Sequence, residues 1–145
     1  MRYHGGMKDE KGTVGHDLKK AGLRMTPQRL ALLSHLRAAN SPISVEELVR
    51  KGKGAYDTAT GYRILDALIL AKLVRKISIA SDRALFEATG THHHHAVCTS
   101  CGIIVDVEAC LPKSLDDRVR VSAGFERIDD HALEFFGLCK RCAKK

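Results

Sequence analysis

In residues 23–40, LRMTPQRLALLSHLRAAN, the apolar positions Leu30, Leu33 and Leu36, with Ala31 and Leu32 beside them, recur at three- and four-residue intervals. That spacing gathers them on one face of an α-helix. Thr26 stands where an N-cap is needed, and Pro27 occupies the first helical position, where a missing N–H is harmless. A second helix is expected over residues 45–51, VEELVRK, opened by Ser44 and, three residues later, Glu47, a capping-box pair. A third covers residues 58–74, TATGYRILDALILAKLV, with Ile64, Leu65, Leu68, Ile69 and Leu73 as its apolar face. Ahead of these, residues 1–15 are rich in glycine and charge and are expected to fray, and residues 16–21 form a short helix closed by Gly22.

The period then changes. In residues 74–89, VRKISIASDRALFEAT, Val74, Ile77 and Ile79 approach strand alternation, Ala80 to Arg83 supply a turn, and Leu85 and Phe86 return as a second strand. Three helices followed by a hairpin is the order of a winged helix-turn-helix, whose third helix enters the major groove of DNA. Tyr62 and Arg63 are the side chains best suited to contacts from that helix, Thr58 and Thr60 add hydroxyls, and Lys20 and Arg24 complete the candidate set. Gly61 is irregular, costing about 1 kcal/mol against alanine inside a helix; close backbone approach is the reason available for it. Beyond residue 90, IIVDVE (103–108) alternates as a strand, LPKSLDDRVRVSAG (111–124) reads as a helix ended by Gly124, and FERIDDHALEFFGLC (125–139) holds one or two further strands. The expected architecture is α+β. A winged-helix DNA-binding domain spans residues 1–88, with 1–15 flexible, and a small α/β dimerisation domain spans 89–145. That second module is too short to bury much surface alone, which points to a homodimer.

Charge sharpens the division. Residues 1–90 carry 16 Lys and Arg against 9 Asp and Glu, and residues 91–145 carry 8 against 8, so the whole net charge of +7 lies in the first part. A basic module joined to a neutral one points to a polyanion as partner of the first. No apolar run approaches the roughly 20 residues that span a bilayer. The first residues, MRYHGGMKDEKGTVGHD, also lack the apolar centre of a signal peptide. A cytoplasmic chain with reduced cysteines and no membrane partner is expected.

Cys98-Thr-Ser-Cys101 is matched, after 37 intervening residues, by Cys139-Lys-Arg-Cys142. Two such knuckles can place four thiolates around zinc, and a closed four-sulfur site is structural. A redox dithiol and a disulfide pair are the competing readings. Cys110 is left over and is expected to be a small, semi-buried thiol. Four histidines, His92 to His95, run into the first knuckle; in an extended segment His93 and His95 face one side and His92 and His94 the other. No His-Glu-x-x-His helix and no nucleophile constellation are visible, so a regulator rather than an enzyme is expected.

Together GLRMTPQR, TATGYRIL, HHHHAVCTSCGIIVD and DHALEFFGLCKRC resemble the ferric uptake regulator family of metal-dependent bacterial repressors, from about Leu18 to Lys144. From the histidines onward the chain is most similar to the peroxide-sensing branch. The resemblance implies a homodimeric repressor of double-stranded operator DNA, with a winged helix, a short hinge and a dimerisation module. Aligned by the cysteines, the family's hinge ligands fall on Glu87, His93, His95 and Asp106, a set that suits iron(II) or manganese(II), alternatively zinc(II). Another family site falls on His92, His94 and His131. Two departures stand out. Pro42 occupies the position of a histidine that many relatives place in the hinge site, with His35 as a substitute, and Lys113 occupies the position of the second site's glutamate. The hard carboxylate of Glu87 favours iron, manganese or peroxide sensing, with zinc or nickel sensing as the alternative. A constitutive, zinc-stapled winged helix that binds DNA without sensing is the other alternative.

Overall fold

The structure, a computed structural model, describes residues 11–77, 83–90, 93–110, 112–129 and 131–144. Its architecture is α+β, and the chain divides into two compact units, residues 1–90 and 91–145.

In the first unit, helix α1 (Lys11–Lys20) starts earlier than its sequence pattern indicated. Val14 and Leu18, four residues apart, are fully buried in the core. Burying two such side chains is worth roughly 1.5–3 kcal/mol each, which outweighs the poor helix propensity of Gly15. Residues 11–15 are therefore helical rather than frayed. Helix α2 (Pro27–Ala38) opens as expected, with the Thr26 hydroxyl accepting the Arg29 N–H at 3.3 Å, and buries Leu32, Leu33 and Leu36. Strand β1 (Ile43–Ser44) follows, too short to show a period in sequence. Ser44 then caps helix α3 (Val45–Gly52), accepting the Glu47 N–H at 3.3 Å. Helix α4 (Thr58–Leu70) is capped by Asp57, whose carboxylate accepts the Thr60 N–H at 2.7 Å and is held below its ordinary pKa by that bond.

Gly61 has its explanation here. It is buried, and a Cβ built on it would lie 3.0 Å from Val45 Cγ2, so the backbone of α4 packs directly on the Val45 side chain of α3. The wing is strands β2 (Val74–Ile77) and β3 (Leu85–Ala88), and β1 joins them in the antiparallel order β1-β3-β2. Ile79 and, of the turn expected from Ala80 to Arg83, residues 80–82 lie outside the described residues. Leu65, Leu68 and Val74 meet Leu32, Leu33, Leu48 and Phe86 in one apolar core.

The second unit is built on strands β4 (His94–Cys98), β5 (Ile104–Val107) and β6 (Glu134–Gly137), in the order β5-β4-β6. β5 runs antiparallel to β4, while β6 runs parallel to it and is reached through helix α5 (Lys113–Ala123), which ends at Gly124 as expected. A short helix α6 (Lys140–Ala143) begins inside the second cysteine pair. Among the described residues of this unit only His94, His95 and Cys98 are buried, and Val105, Phe135, Phe136 and Leu138 are exposed. No described helix is long and apolar enough to cross a membrane.

Candidate metal centres

The two cysteine knuckles close on each other. Gly102, with φ 71°, bends the chain after Cys101, and its N–H donates to the Cys98 carbonyl at 2.8 Å. The Thr99 N–H reaches the Gly137 carbonyl at 2.9 Å, tying the first knuckle to the strand that leads to Cys139. The sulfurs of Cys98, Cys101, Cys139 and Cys142 all lie within 4.8 Å of one another, with Cys101 and Cys139 3.9 Å apart. Zn–S bonds of about 2.3 Å in a tetrahedron put the sulfurs about 3.8 Å apart, so the four residues fit zinc. The backbone N–H of Cys139, 3.3 Å from the Cys98 sulfur, does most to lower that thiol to about 6, and the N–H groups of Cys101 and Ser100 assist. Cys101 is lowered by the Ile103 N–H and by the Arg141 guanidinium. At Cys142 the Ser100 hydroxyl favours the thiolate, but the thiols of Cys139 and Cys101 outweigh it and lift the group to about 11. Charge on one sulfur thus opposes charge on the next, and a divalent cation removes that opposition. Arg141 went unnoticed in the sequence, where its place inside the Cys-x-x-Cys pair was the available signal.

His93 and His95 lie together while His94, which begins β4, turns elsewhere, as strand alternation predicts for these three residues. The rings of His93 and His95 meet edge to face with centroids 5.0 Å apart. Both approach Asp106 on β5, the residue paired with His95 in register; His93 Nε2 lies 4.0 Å and His95 Nε2 3.7 Å from its carboxylate. His95 is buried and Asp106 exposed, so the three donors open towards solvent from a fixed wall. Glu87, in the first unit, is buried on β3 and forms an ion pair with Arg75, its register partner on β2. Its carboxylate therefore has a strong partner within the wing.

His94 faces the other way and stacks on His131, with ring centroids 5.2 Å apart and planes 25° from parallel. The Cys110 sulfur lies 3.4 Å from His131 Nε2, and Asp116 on α5 lies 3.5 Å from His131 Nδ1. Donor atoms of His94, Cys110 and His131 fall within 4.8 Å of one another. Cys110 is thus exposed and part of a cluster, not a semi-buried spare thiol, because the chain leaving β5 carries it past the edge of the sheet towards His131. His92 lies outside the described residues. Lys113 is exposed at the start of α5. Neither Cys110 nor Asp116 was singled out as a site residue from sequence, since neither belongs to a spaced motif.

In the first unit, Thr58, Tyr62 and Arg63 are exposed along α4, and Thr60, half-buried, accepts a 3.5 Å hydrogen bond from Arg63. Tyr62 leans edge-on against Phe86 of the wing, at a centroid distance of 6.4 Å, which orients its ring. Lys20 and Arg24 are exposed at the end of α1 and just beyond it. His35 is engaged within the first unit, its Nδ1 3.4 Å from the Tyr56 hydroxyl, and burial, with the charge of Lys51, lowers its pKa. Pro42 is buried at the entry to β1.

A family model described as the ferric uptake regulator family matches residues 20–136. A peroxide operon regulator of Bacillus subtilis is 31% identical over 134 residues, covering 88% of this chain and 90% of that protein. A ferric uptake regulation protein of Neisseria meningitidis is 31% identical over 133 residues, covering 88% and 92%. The crystal structure of the Vibrio cholerae ferric uptake regulator superposes with a TM-score of 0.70 at 28% identity, over 86% of this chain and 98% of that one. With the matched region spanning both units, the chain belongs to the ferric uptake regulator family.

Proposed function

We propose that the chain is a homodimeric, metal-responsive repressor that binds double-stranded operator DNA through its first unit. The regulatory ion is iron(II) or manganese(II), held by His93, His95 and Asp106 of the second unit together with Glu87 of the wing. The observation that carries this reading is the convergence of His93 and His95 on Asp106, on the face of β4 away from His94. Two imidazoles and two carboxylates suit iron(II) or manganese(II), and zinc(II) is the competing ion. Similarity to a peroxide operon regulator and to a ferric uptake regulation protein makes iron and peroxide the signals to test first.

Glu87 gives the switch its mechanism. Its carboxylate is already paired with Arg75, so a metal that recruits Glu87 exchanges one partner for another and changes what holds the wing. Metal then favours one conformation of the DNA-binding unit, and differential affinity for that conformation couples the ion to operator binding. Structural zinc at Cys98, Cys101, Cys139 and Cys142 holds the second unit throughout. The exposed apolar residues of that unit, Val105, Phe135 and Phe136 among them, are the surface a second copy covers.

The test is anaerobic titration of iron(II) and of manganese(II) into protein whose tightly held zinc has been counted, following affinity for a duplex enriched by selection against the protein, at fixed ionic strength. Wild type gains affinity with metal; the His93→Ala/His95→Ala double variant keeps its zinc and its dimer but loses the gain. Equal DNA affinity with and without metal in wild type rejects the sensor. That outcome would instead support a constitutive repressor, a reading favoured by the buried Pro42 and the Arg75–Glu87 pair.

A further inference from the structure

Arg75 and Glu87 are register partners on β2 and β3, and their ion pair lies wholly within the first unit. Their side chains are 28% and 11% exposed, so guanidinium and carboxylate meet where water screens them poorly. The backbone around them is fixed. β3 is the central strand of its sheet, paired with β2 from Val74 to Ile77 and with β1 at Ile43 and Ser44. Beyond Glu87, the Thr89 N–H donates to the Leu73 carbonyl at 2.9 Å and the Thr89 hydroxyl to the Lys72 carbonyl at 2.6 Å, which closes the base of the wing. A slip of β3 by one residue would turn the buried Phe86 out of the core. The strand therefore cannot carry Glu87 away from Arg75, and whatever takes the carboxylate does so with the guanidinium alongside.

We infer that Arg75 is a built-in competitor for the regulatory ion. It occupies Glu87 in the metal-free protein, keeps a positive charge beside the site when metal is bound, and so sets the metal concentration at which the switch responds. The inference rests on the reading of Glu87 as a ligand and adds the regulation of that site. A guanidinium bonded to a carboxylate oxygen is a charge-assisted partner that the ion has to displace. Once displaced, it stands as a like charge a few ångströms from a dication, which lowers affinity further. Arg75 acts through Glu87 and is a positioning residue, not a ligand.

The test is manganese(II) titration of the full chain with its zinc counted and no DNA present, following the free aquo ion by electron paramagnetic resonance. Arg75→Met should tighten manganese about tenfold or more, the effect of removing a like charge beside an ionisable group. Arg75→Gln, which keeps an N–H for the carboxylate but no charge, should do the same and serves if the methionine variant does not fold. Arg75→Lys, which keeps the charge, should stay within about threefold of wild type. In a Glu87→Ala background there is no carboxylate to compete for, and Arg75→Met should change affinity by less than about threefold. Unchanged or weaker binding in Arg75→Met and Arg75→Gln, beside manganese binding in wild type, would overturn the inference and leave the sensing reading intact. Equal tightening in the Glu87→Ala background would overturn it as well, because the effect would not run through Glu87. Manganese bound by neither wild type nor any variant would remove the sensing reading and this inference with it.

Discussion

Gly61 sits in the middle of α4 with no room for a methyl group, since a Cβ there would press on Val45 Cγ2 at 3.0 Å. Alanine would gain about 1 kcal/mol of helix propensity, but Val45 is buried and β-branched, so it has no easy rotamer to yield. Overpacking of this kind costs about 1–3 kcal/mol. Gly61→Ala should therefore lower stability by about 1 kcal/mol in urea unfolding, and the same change made in a Val45→Ala background should be neutral or stabilising. A stabilised single variant would mean that α3 moves aside. In sequence, Gly61 showed only as an irregularity, because the group it avoids lies sixteen positions away on another helix. That His93 and His95 share a side was legible for the opposite reason, because strand alternation is local, whereas Asp106 came only from the family resemblance aligned on the cysteines.

At the scale of elements, the caps Thr26 and Ser44 were readable because capping bonds reach only three residues. α1 was misjudged at its start because Val14 gains its partners from the core. Its docking on α2 is reinforced by Asp17, which accepts a 2.6 Å hydrogen bond from Arg37. That bond, with a smaller contribution from His16, holds the Asp17 carboxyl below its ordinary pKa. A carboxyl whose folded pKa is depressed contributes stability that is fully present above the unfolded value, about 3.9, and lost as pH falls through the lower folded value. Asp17→Asn should accordingly be less stable than wild type near neutral pH, with the gap closing once pH drops below about 3.9. Unfolding measured across that range checks it; a gap that stays constant would assign the loss to packing.

At the scale of the whole molecule, the described apolar core lies in the first unit, while the second buries two histidines and a cysteine and exposes its phenylalanines. A module so poor in core depends on ligation, since structural zinc binding is itself folding energy. Cys139→Ser should release one zinc per chain, remove the second unit's contribution to cooperative unfolding and dissociate the dimer in sedimentation, while the helical signal of the first unit persists. Retained dimer after zinc loss would show that the apolar surface suffices. The sequence by itself determined helices α2, α3 and α4, the pairing of the cysteine knuckles, the division of charge and the shared side of His93 and His95, because periodicity, caps and short motifs act over a few residues. Tertiary structure alone decided that Gly61 faces Val45, that Arg75 holds Glu87, and that Cys110 and Asp116 join His94 and His131. Those contacts unite residues twelve or more positions apart, brought together by the packing of α4 on α3, by the pairing of β2 with β3, and by the crossover that lays β6 beside β4.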